Sequence, residues 1–524
     1  MSQQARPVRL HKVDAQSRVV SLLPAVLLIG GLLRLFVAWR DVGVLDTLFF
    51  PDDTYLSLNI ARNIALGFGS TFDREILTNG YQPLYVWLMV PVYWLFPNDL
   101  VLPIHIALTM LALVGVATAW FVYRIVRRLG QPWHALVACA IWMLDPVVFT
   151  HSMNGLETGI ALLGIAATTD WYLARVRSRD DVPLRDMLIL GLLGGLTILA
   201  RVDQGLLLAA IGLDLLLLRP RWRTAGRLAL MGCVSLLVTM PWVIWSWSIG
   251  LGPIPESGAA VRFLGQAHVQ TFGPHLPGGW YAWTLLQSLG FVLAAPRTTV
   301  LFLWGALFIT LVRRLRRQPN RWVRHWLRRV RPLRFAAVYC AMLFLAYWLF
   351  IPAVWFFERY WQPIALFALI TTVLMLPDLD DLPLRQRRPW QRVVLAVVLI
   401  EATLALRFLV VEPAPNGYRS IALWVDQNLA GQTVGAFQSG AVGYWAERVR
   451  VVNLDGVVDR TSLQARRQGR TIDQLRRREV DWVIDWTETP GLPVDGDLRA
   501  VELQYRIPDV QSWNLPWHLF KVQR

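Results

Sequence analysis

Residues 51–69 read PDDTYLSLNIARNIALGFG and lie just beyond the first hydrophobic span of the chain. Two adjacent carboxylates, Asp52 and Asp53, open this stretch. An Asp at the start of a helix can cap it, the apolar residues that follow recur at helical spacing, and Gly67 favours a stop. The stretch therefore predicts a short helix at the membrane surface that holds two acids in fixed orientations.

The composition indicates that most of the chain lies in a membrane. Its 524 residues are 55% hydrophobic, with a mean hydropathy of +0.41. Many apolar runs approach the length needed to cross about 30 Å of hydrocarbon. All three cysteines fall within apolar runs, so we expect neither a disulfide framework nor a cysteine-based zinc site. The chain is predicted to be a polytopic α-helical membrane protein.

The net charge of +16 comes almost entirely from arginine. Ten arginines and no acid fall between Arg313 and Arg334, between two hydrophobic runs. Such a loop is typical of the cytoplasmic side under the positive-inside rule. We therefore expect no nucleic acid partner.

A topology follows from the charged loops. Basic residues before the first apolar run, with no cleavage site of small residues, predict a retained signal anchor with a cytoplasmic N-terminus. The short run 83–96 is assigned to the interface, because counting it as a span would place three arginines outside. Eleven spans result, with the C-terminus outside: 19–38, 101–122, 133–150, 156–174, 187–200, 204–218, 227–249, 297–312, 335–354, 362–377 and 393–411.

Short polar islands remain on the outer side in this topology. They lie at 52–81, 153–157, 201–204, 252–275 and 358–362. Ionisable groups at the membrane edge are costly to bury, so they tend to face a cavity or a partner. We expect the chemistry of the protein to lie where these islands meet.

The pattern changes after residue 411 and predicts a small extracytoplasmic α/β domain at 412–524. Helices are expected at 417–429 and 471–478, and strands at 433–437, 449–453 and 481–485. Docking of an acceptor and simple packing against the outer loops are the two roles left open for this domain.

Six motifs of the membrane region follow one another in order: DDTYLSLNIARNIALGFGSTFD at 52–73, TNGYQPLYVWL at 78–88, MNGLETGIALL at 153–163, LARVDQGLLL at 199–208, GPIPESGAAVR at 252–262 and FERYWQPIALF at 357–367. This ordered set resembles the GT-C superfamily of membrane glycosyltransferases that use polyprenyl-phosphate sugars, and within it the mycobacterial terminal arabinofuranosyltransferase. The resemblance implies a GT-C-like catalytic domain at 1–411, with outer loops at 39–100 and 250–296. It also implies a multi-pass protein of the bacterial plasma membrane.

The resemblance implies a specific reaction. A sugar would move from a polyprenyl-monophosphate donor to an extracytoplasmic glycan or glycolipid acceptor, with inversion at the anomeric carbon. Membrane lipids would be the other partners of the protein. Asp52 and Asp53 match the place of the catalytic acid, and one of them would be the general base. A carboxylate must take the proton of the attacking hydroxyl while a cation stabilises the departing phosphate. Helix capping is the competing interpretation of both acids.

Three outer arginines are candidates for holding the donor phosphate, because a guanidinium offers a fork of donors that matches phosphate oxygens. We favour Arg359 and Arg262 over Arg201. Arg359 could instead pair with its neighbour Glu358. Arg201 could pair with Asp203, where the chain reads Arg-Val-Asp in place of the Arg-Pro-Glu of the family.

Binding of the acceptor or of the sugar is assigned to a set of polar and aromatic residues: Asn154, Glu157, Tyr81, Gln82 and Tyr360. Glu157 could instead cap the helix that follows it. The aromatic residues could instead lie at the membrane interface, where Trp and Tyr are enriched.

No cofactor is certain, and a divalent cation held by Asp52 and Asp53 is left open. A metal site at His268 and His275 is a weaker alternative.

Two other classes of function compete with a transferase. A transporter would need polar or broken helices near the midplane, whereas the polar groups here sit at one edge. A lyase, ligase or phosphatase, or an inactive scaffold, could act on the same polyprenyl-linked glycans. The sequence does not determine the sugar transferred.

Overall fold

The structure, a computed structural model, describes residues 21–272, 279–294, 305, 326–351, 358–379, 382, 384–412, 417–486, 502–512 and 515–523. The predicted span at 297–312 lies outside these residues apart from Gly305, and so do His275 and the side chain of His268.

Helices make up most of the described chain. In the first part they are α1 (Leu23–Ala38), α2 (Val42–Leu48), α3 (Asp52–Ala65), α4 (Pro83–Leu95), α5 (Leu102–Leu129), α6 (Pro132–Leu144), α7 (Pro146–Ser152) and α8 (Thr158–Trp171). They continue as α9 (Leu184–Ala200), α10 (Gly205–Leu218), α11 (Trp222–Ser248), α12 (Glu256–Phe272), α13 (Gly279–Ala294), α14 (Arg334–Phe350), α15 (Glu358–Met375) and α16 (Leu384–Val410).

Each predicted span that falls on described residues coincides with one of these helices or, at 133–150, with two of them. By length and composition, four helices of the described chain could each cross a membrane: Leu102–Leu129, Trp222–Ser248, Trp326–Phe350 and Arg387–Val410. The number rises to six if each of two bent pairs, α1 with α2 and α6 with α7, is one span. The protein is therefore multi-pass, and the total of eleven spans stays a prediction.

The run 133–150 was expected to form one straight span, but it is a bent pair. Helices α6 and α7 meet at 60°. Asp145 and Pro146 cause the break, because the proline ring disfavours helical backbone before it and the Asp145 carboxylate accepts two backbone N–H groups of the new helix at 2.8 and 3.0 Å. The buried Arg34 guanidinium donates to Ser152 at 2.9 Å and so links α1 to the far side of the bend.

The predicted surface helix is present as α3. Its N-cap is Pro51, without a side-chain cap bond, and Asp52 and Asp53 occupy the first turn. The expectation that an aspartate caps this helix is therefore wrong, although both carboxylates remain favourably placed beside the positive end of the helix dipole. Gly67, at a φ of +87°, follows the end of the helix as expected. The next helix, α4, has 13 residues and matches the short run assigned to the interface.

The chain after residue 417, here called the C-terminal segment (417–523), contains a five-stranded sheet in the order β2-β1-β3-β5-β4. Its elements are α17 (Tyr418–Asn428), β1 (Thr433–Ala436), α18 (Gly440–Trp445), β2 (Arg450–Asn453), α19 (Arg460–Arg467), α20 (Thr471–Arg477), β3 (Trp482–Asp485), β4 (Glu502–Ser512) and β5 (Leu515–Lys521). β1 pairs in parallel with β2 and β3, whereas β5 is antiparallel to β3 and β4.

The predicted helices and strands of this segment lie within a few residues of α17, α20 and β1 to β3, but α18, α19, β4 and β5 were missed. Pro508 lies inside β4 and Pro516 inside β5. Proline cannot donate to a strand ladder, so a pattern that contains it argues against a strand. Register shifts in the β4–β5 pair accommodate the irregular sequence.

The C-terminal segment is seated on the first outer loop. One buried cluster contains side chains from both, among them Tyr55 from α3 and Tyr444 from α18. The hydroxyl of Tyr444 lies 2.8 Å from that of Tyr93, and Arg62 pairs with Glu447 at 2.5 Å. The segment and the loop therefore share one packed core.

One very close approach between the two occurs at Gly440. A Cβ added there would lie 2.1 Å from the backbone oxygen of Asp52. Because this oxygen belongs to the backbone, it cannot rotate away as the end of a side chain could. Only glycine allows α18 to approach α3 this closely.

We expect Gly440→Ala to weaken the seating of the C-terminal segment, because overpacking of a close contact costs about 1–3 kcal/mol. Hydrogen exchange of the α18 amides in the purified protein should become faster. Gly252→Ala is the matched control, since no atom lies within 4 Å of a Cβ at that outer-loop position. Equal exchange in the two variants would contradict a tight contact.

Candidate active site

A cavity of about 720 Å³ lies between the membrane helices and the C-terminal segment. The starts of α3, α12 and α15 and the turn between α9 and α10 line it on the membrane side. The predicted site residues that line it are Asp52, Asp53, Tyr81, Gln82, Glu157, Arg201, Arg359 and Tyr360. Residues from distant parts of the sequence thus meet in one hollow.

The closest charged pair in this hollow joins Asp53 to Arg359. Nη2 of Arg359 donates to Oδ2 of Asp53 at 2.5 Å, across 306 residues of sequence. The Asp53 side chain is 39% exposed, whereas that of Arg359 is 10% exposed. Glu358, the alternative partner considered for Arg359, lies 3.3 Å from His151.

Arg201 lies deeper and is surrounded by acceptors. It donates to Asp203 at 3.0 Å, to the Tyr347 hydroxyl at 2.8 Å and to Glu157 at 3.4 Å. The alternative pairing of Arg201 with Asp203 is therefore present. Its guanidinium also lies 4.4 Å from the centre of the Tyr360 ring. Arg201 is thus held rigidly, with two acids that offset its charge.

Asp52 faces a different environment from its neighbour. It is 5% exposed, and its two carboxylate oxygens accept the backbone N–H groups of Gly440 at 2.7 Å and Ala441 at 2.9 Å. Burial raises the pKa of this carboxyl from its ordinary value to about 7, although the two amides work in the opposite direction. Asp52 anchors the C-terminal segment, whereas Asp53 faces Arg359.

The C-terminal segment supplies a wall of the cavity that the sequence did not predict. It includes Gln438, Asp455, Arg466, Asp485 and Trp486. Burial raises the pKa of Asp455 to about 6. A signal for part of this wall was present, because acids and an amide follow or end the first three strands, and the carboxyl ends of parallel strands meet at one edge of a sheet.

The other predicted binding residues differ in their access to the cavity. Tyr81 is largely buried, with its hydroxyl 2.8 Å from that of Ser70. Gln82 accepts the backbone N–H of Val202 at 3.3 Å. Both side chains line the hollow and also support its walls.

Asn154 and Arg262 lie outside the cavity. Asn154 is buried, its carbonyl accepts the Thr54 hydroxyl at 2.6 Å, and its side chain accepts the Leu156 amide at 3.1 Å. Gly155 completes this turn at a φ of +69°, which favours glycine. Arg262 is exposed to solvent. The binding roles predicted for Asn154 and Arg262 stay predictions, and neither residue lines this cavity.

Among the residues that the structure describes, no three His, Cys, Asp or Glu side chains come together as a metal site would require. Both oxygens of Asp52 accept backbone amides, and Asp53 contacts the Arg359 guanidinium. A requirement for a divalent cation stays an open prediction.

Comparisons with known proteins show which families and folds the chain is similar to. Residues 82–245 match the family described as Dolichyl-phosphate-mannose-protein mannosyltransferase, and residues 410–520 match a Domain of unknown function (DUF8728). The apo structure of ArnT from Cupriavidus metallidurans superposes with a TM-score of 0.56 at 14% identity, over 96% of this chain and 98% of that one. The chain therefore shares the GT-C fold of this protein.

A second structure of the same GT-C protein, bound to undecaprenyl phosphate, gives a TM-score of 0.55 at 15% identity over 95% of this chain and 97% of the other. In sequence, GPI mannosyltransferase 1 of Aspergillus fumigatus is 29% identical over 158 residues, which are 29% of this chain and 33% of that protein. The chain thus spans about a third of the length of the curated relatives it matches. These matches name mannosyltransferases, so the finer likeness to arabinofuranosyltransferases stays a prediction.

The raised pKa of Asp52 predicts a pH-dependent stability. Because its folded-state pKa lies above the ordinary value, stability from this group is present at low pH and is lost as the pH rises through about 7. Asp52→Asn should flatten the decrease in melting temperature between about pH 4 and 7, leaving the part that is due to other buried acids, such as Asp46 and Asp455. Thermal unfolding in detergent across this range measures it.

Asp473→Asn is the control for this measurement, since Asp473 is an exposed acid of α20. Its melting profile should run parallel to that of the unsubstituted protein. If the Asp52→Asn profile were parallel as well, Asp52 would not titrate in this range.

Proposed function

We propose that this protein is a glycosyltransferase that moves a sugar from a polyprenyl-phosphate donor to an acceptor on the outer side of the membrane. The observation that carries the proposal is the contact of Asp53 with Arg359 at 2.5 Å inside a cavity at the membrane edge. Such a hollow offers both a proton acceptor and a phosphate-binding cation. The mannosyltransferase relatives make mannose the first sugar to test.

Asp53 is proposed as the general base. Its side chain is partly exposed to the cavity, whereas both oxygens of Asp52 are occupied by backbone amides. In the reaction the acceptor oxygen forms a bond to the anomeric carbon, its proton passes to Asp53, and the bond from that carbon to the phosphate oxygen breaks. A single displacement of this kind inverts the anomeric centre.

Arg359 is proposed as the main partner of the donor phosphate. A phosphate that enters the cavity would compete with Asp53 for the guanidinium, since both offer paired oxygens to its fork of donors. Its arrival would release Asp53 from the ion pair and leave Oδ2 of that carboxylate open to the acceptor hydroxyl. The negative charge that develops on the leaving phosphate would then lie beside a fixed cation.

Arg201 is proposed as a positioning residue. Asp203, Glu157 and Tyr347 accept hydrogen bonds from its guanidinium and hold it in place. It lies against Tyr360, the residue that follows Arg359, and it can therefore hold that part of α15 in place.

The donor is proposed to carry a polyprenyl chain that extends among the membrane helices. The GT-C protein ArnT has been solved with undecaprenyl phosphate bound, which supports a lipid of this class. The proposed setting is a bacterial plasma membrane, with the N-terminus cytoplasmic and the cavity and C-terminal segment outside.

Asp53→Asn should lower the rate of sugar transfer by about 100-fold or more, the scale of losing a general base. The assay incubates purified protein in lipid nanodiscs with undecaprenyl-phosphate mannose and, in parallel, with the glucose and arabinofuranose analogues, with and without chelator. Sugar release and transfer are followed by mass spectrometry. The binding constant for donor should change little or improve.

Asp99→Asn is the matched control, because Asp99 is an exposed acid of the same outer loop that lies outside the cavity and caps a turn that asparagine also caps. It should retain full activity. Undiminished transfer in Asp53→Asn would remove the proposed base, and absence of sugar release from every donor in the unsubstituted protein would remove the proposed function.

Arg359→Lys should raise the donor KM by about tenfold or more, because lysine keeps the charge but loses the two-pronged contact with phosphate. Arg262→Lys is its control, as Arg262 is exposed and lies outside the cavity. If Arg262→Lys raised the donor KM more than Arg359→Lys, the proposed role of Arg359 would be contradicted. The phosphate site would then lie in the second outer loop.

A further inference from the structure

We propose that the carboxyl edge of strands β1, β2 and β3 is an acceptor subsite that binds an uncharged, hydroxyl-rich sugar. The inference rests on the proposed function and assigns a role to the C-terminal segment, whose matching family is described only as a domain of unknown function.

The first argument is the position of the strand ends. β1, β2 and β3 run parallel, and each delivers a polar side chain to the cavity at its carboxyl end. Gln438 follows β1, Asp455 follows β2 and Asp485 ends β3. In open α/β sheets, ligands bind outside the carboxyl ends of the strands. Here that edge faces the hollow that also contains Asp53.

The second argument is the chemistry of these side chains. Carboxylates and a carboxamide are suited to accept hydrogen bonds from several sugar hydroxyl groups at once. Trp486, next to Asp485, adds an aromatic surface for the apolar face of a sugar ring. Its ring is fixed against Tyr418 and Trp517, with ring centres 6.2 and 5.9 Å apart. The wall is thus both polar and rigid.

The third argument is charge. Asp455 and Asp485 outnumber Arg466 on this wall. Arg466 donates to the backbone oxygen of Asp455 at 3.1 Å and lies 5.0 Å from the centre of the Phe437 ring, so it also braces the wall. An anionic acceptor would meet net repulsion here, whereas the donor phosphate meets Arg359 on the membrane side. The two sides of the cavity therefore favour different ligands.

The fourth argument is how this wall is held. Gly440 and Ala441 begin α18, shortly after Gln438 in the chain. Their backbone amides donate hydrogen bonds to the Asp52 carboxylate. Asp52 is the neighbour of Asp53. The contact that seats the C-terminal segment therefore also sets the distance between the strand edge and the proposed base, as an acceptor hydroxyl would require.

The test measures binding without requiring turnover. Saturation-transfer NMR on the protein in nanodiscs uses methyl α-mannopyranoside, methyl α-glucopyranoside and methyl α-arabinofuranoside as neutral probes, with mannose 6-phosphate as an anionic probe and a Ser/Thr peptide as a protein-like probe. We expect at least one neutral glycoside to bind. Asp455→Asn and Asp485→Asn should each weaken it at least tenfold, because an amide group lacks the charge that strengthens a hydroxyl contact.

Asp473→Asn, the exposed acid of α20, is the matched control and should bind as the unsubstituted protein does. Thermal unfolding shows whether the cavity variants remain folded, and Gln438→Ala supplies a further cavity variant if one of them does not. Equal binding in all variants, binding of none of the neutral glycosides, or preferential binding of mannose 6-phosphate or the peptide would overturn the subsite.

Failure of this inference is distinguishable from failure of the proposed function. Sugar release from the polyprenyl donor is scored separately and does not depend on Asp455 or Asp485. Release of the sugar together with unchanged glycoside binding in the variants rejects the subsite alone.

Discussion

Asp52 and Asp53 are consecutive residues in the first turn of α3, and a helix turns by about 100° per residue, so their side chains must leave the backbone in different directions. One carboxylate turns to the amides of Gly440 and Ala441, and the other turns to Arg359. This single turn therefore seats the C-terminal segment and also presents an acid to the cavity. The first turn of α3 therefore fixes the position of the C-terminal wall of the cavity relative to the membrane helices.

The electrostatics of the two acids differ because their surroundings differ. Burial raises the pKa of Asp52, and two amide donors offset only part of that cost. A well-packed apolar residue would be cheaper in free energy at such a buried position. A carboxylate with two directed hydrogen bonds, however, accepts only one orientation of α18. We infer that this position favours a defined seating of the C-terminal segment over maximal stability.

Much of the membrane region could be predicted from the sequence, because apolar runs and charged loops report directly on helices and their topology. The meeting of Asp53 and Arg359 in one hollow was also predictable, once both were placed on the outer side. The bend at Asp145 was missed although Pro146 was a local signal for it. Strands β4 and β5 were missed because Pro508 and Pro516 contradict a strand pattern. The strand ends signalled polar side chains at one sheet edge, but the position of that edge opposite the membrane helices could not be foreseen, since it depends on contacts such as that of Gly440 with Asp52.

The ion pair between Asp53 and Arg359 bears on the order of events in the proposed reaction. While Oδ2 of Asp53 accepts a hydrogen bond from Arg359, that oxygen is not available to the hydroxyl of an acceptor. The base would therefore be held inactive until a phosphate takes over the guanidinium, and this requires the donor to bind first. An acceptor or a water molecule that enters earlier meets an Asp53 carboxylate that is still paired with Arg359. Arg201 does not have the same role, since Asp203 and Glu157 remain beside it. The different pairing of these two arginines is therefore the feature that separates a switchable cation from a fixed one.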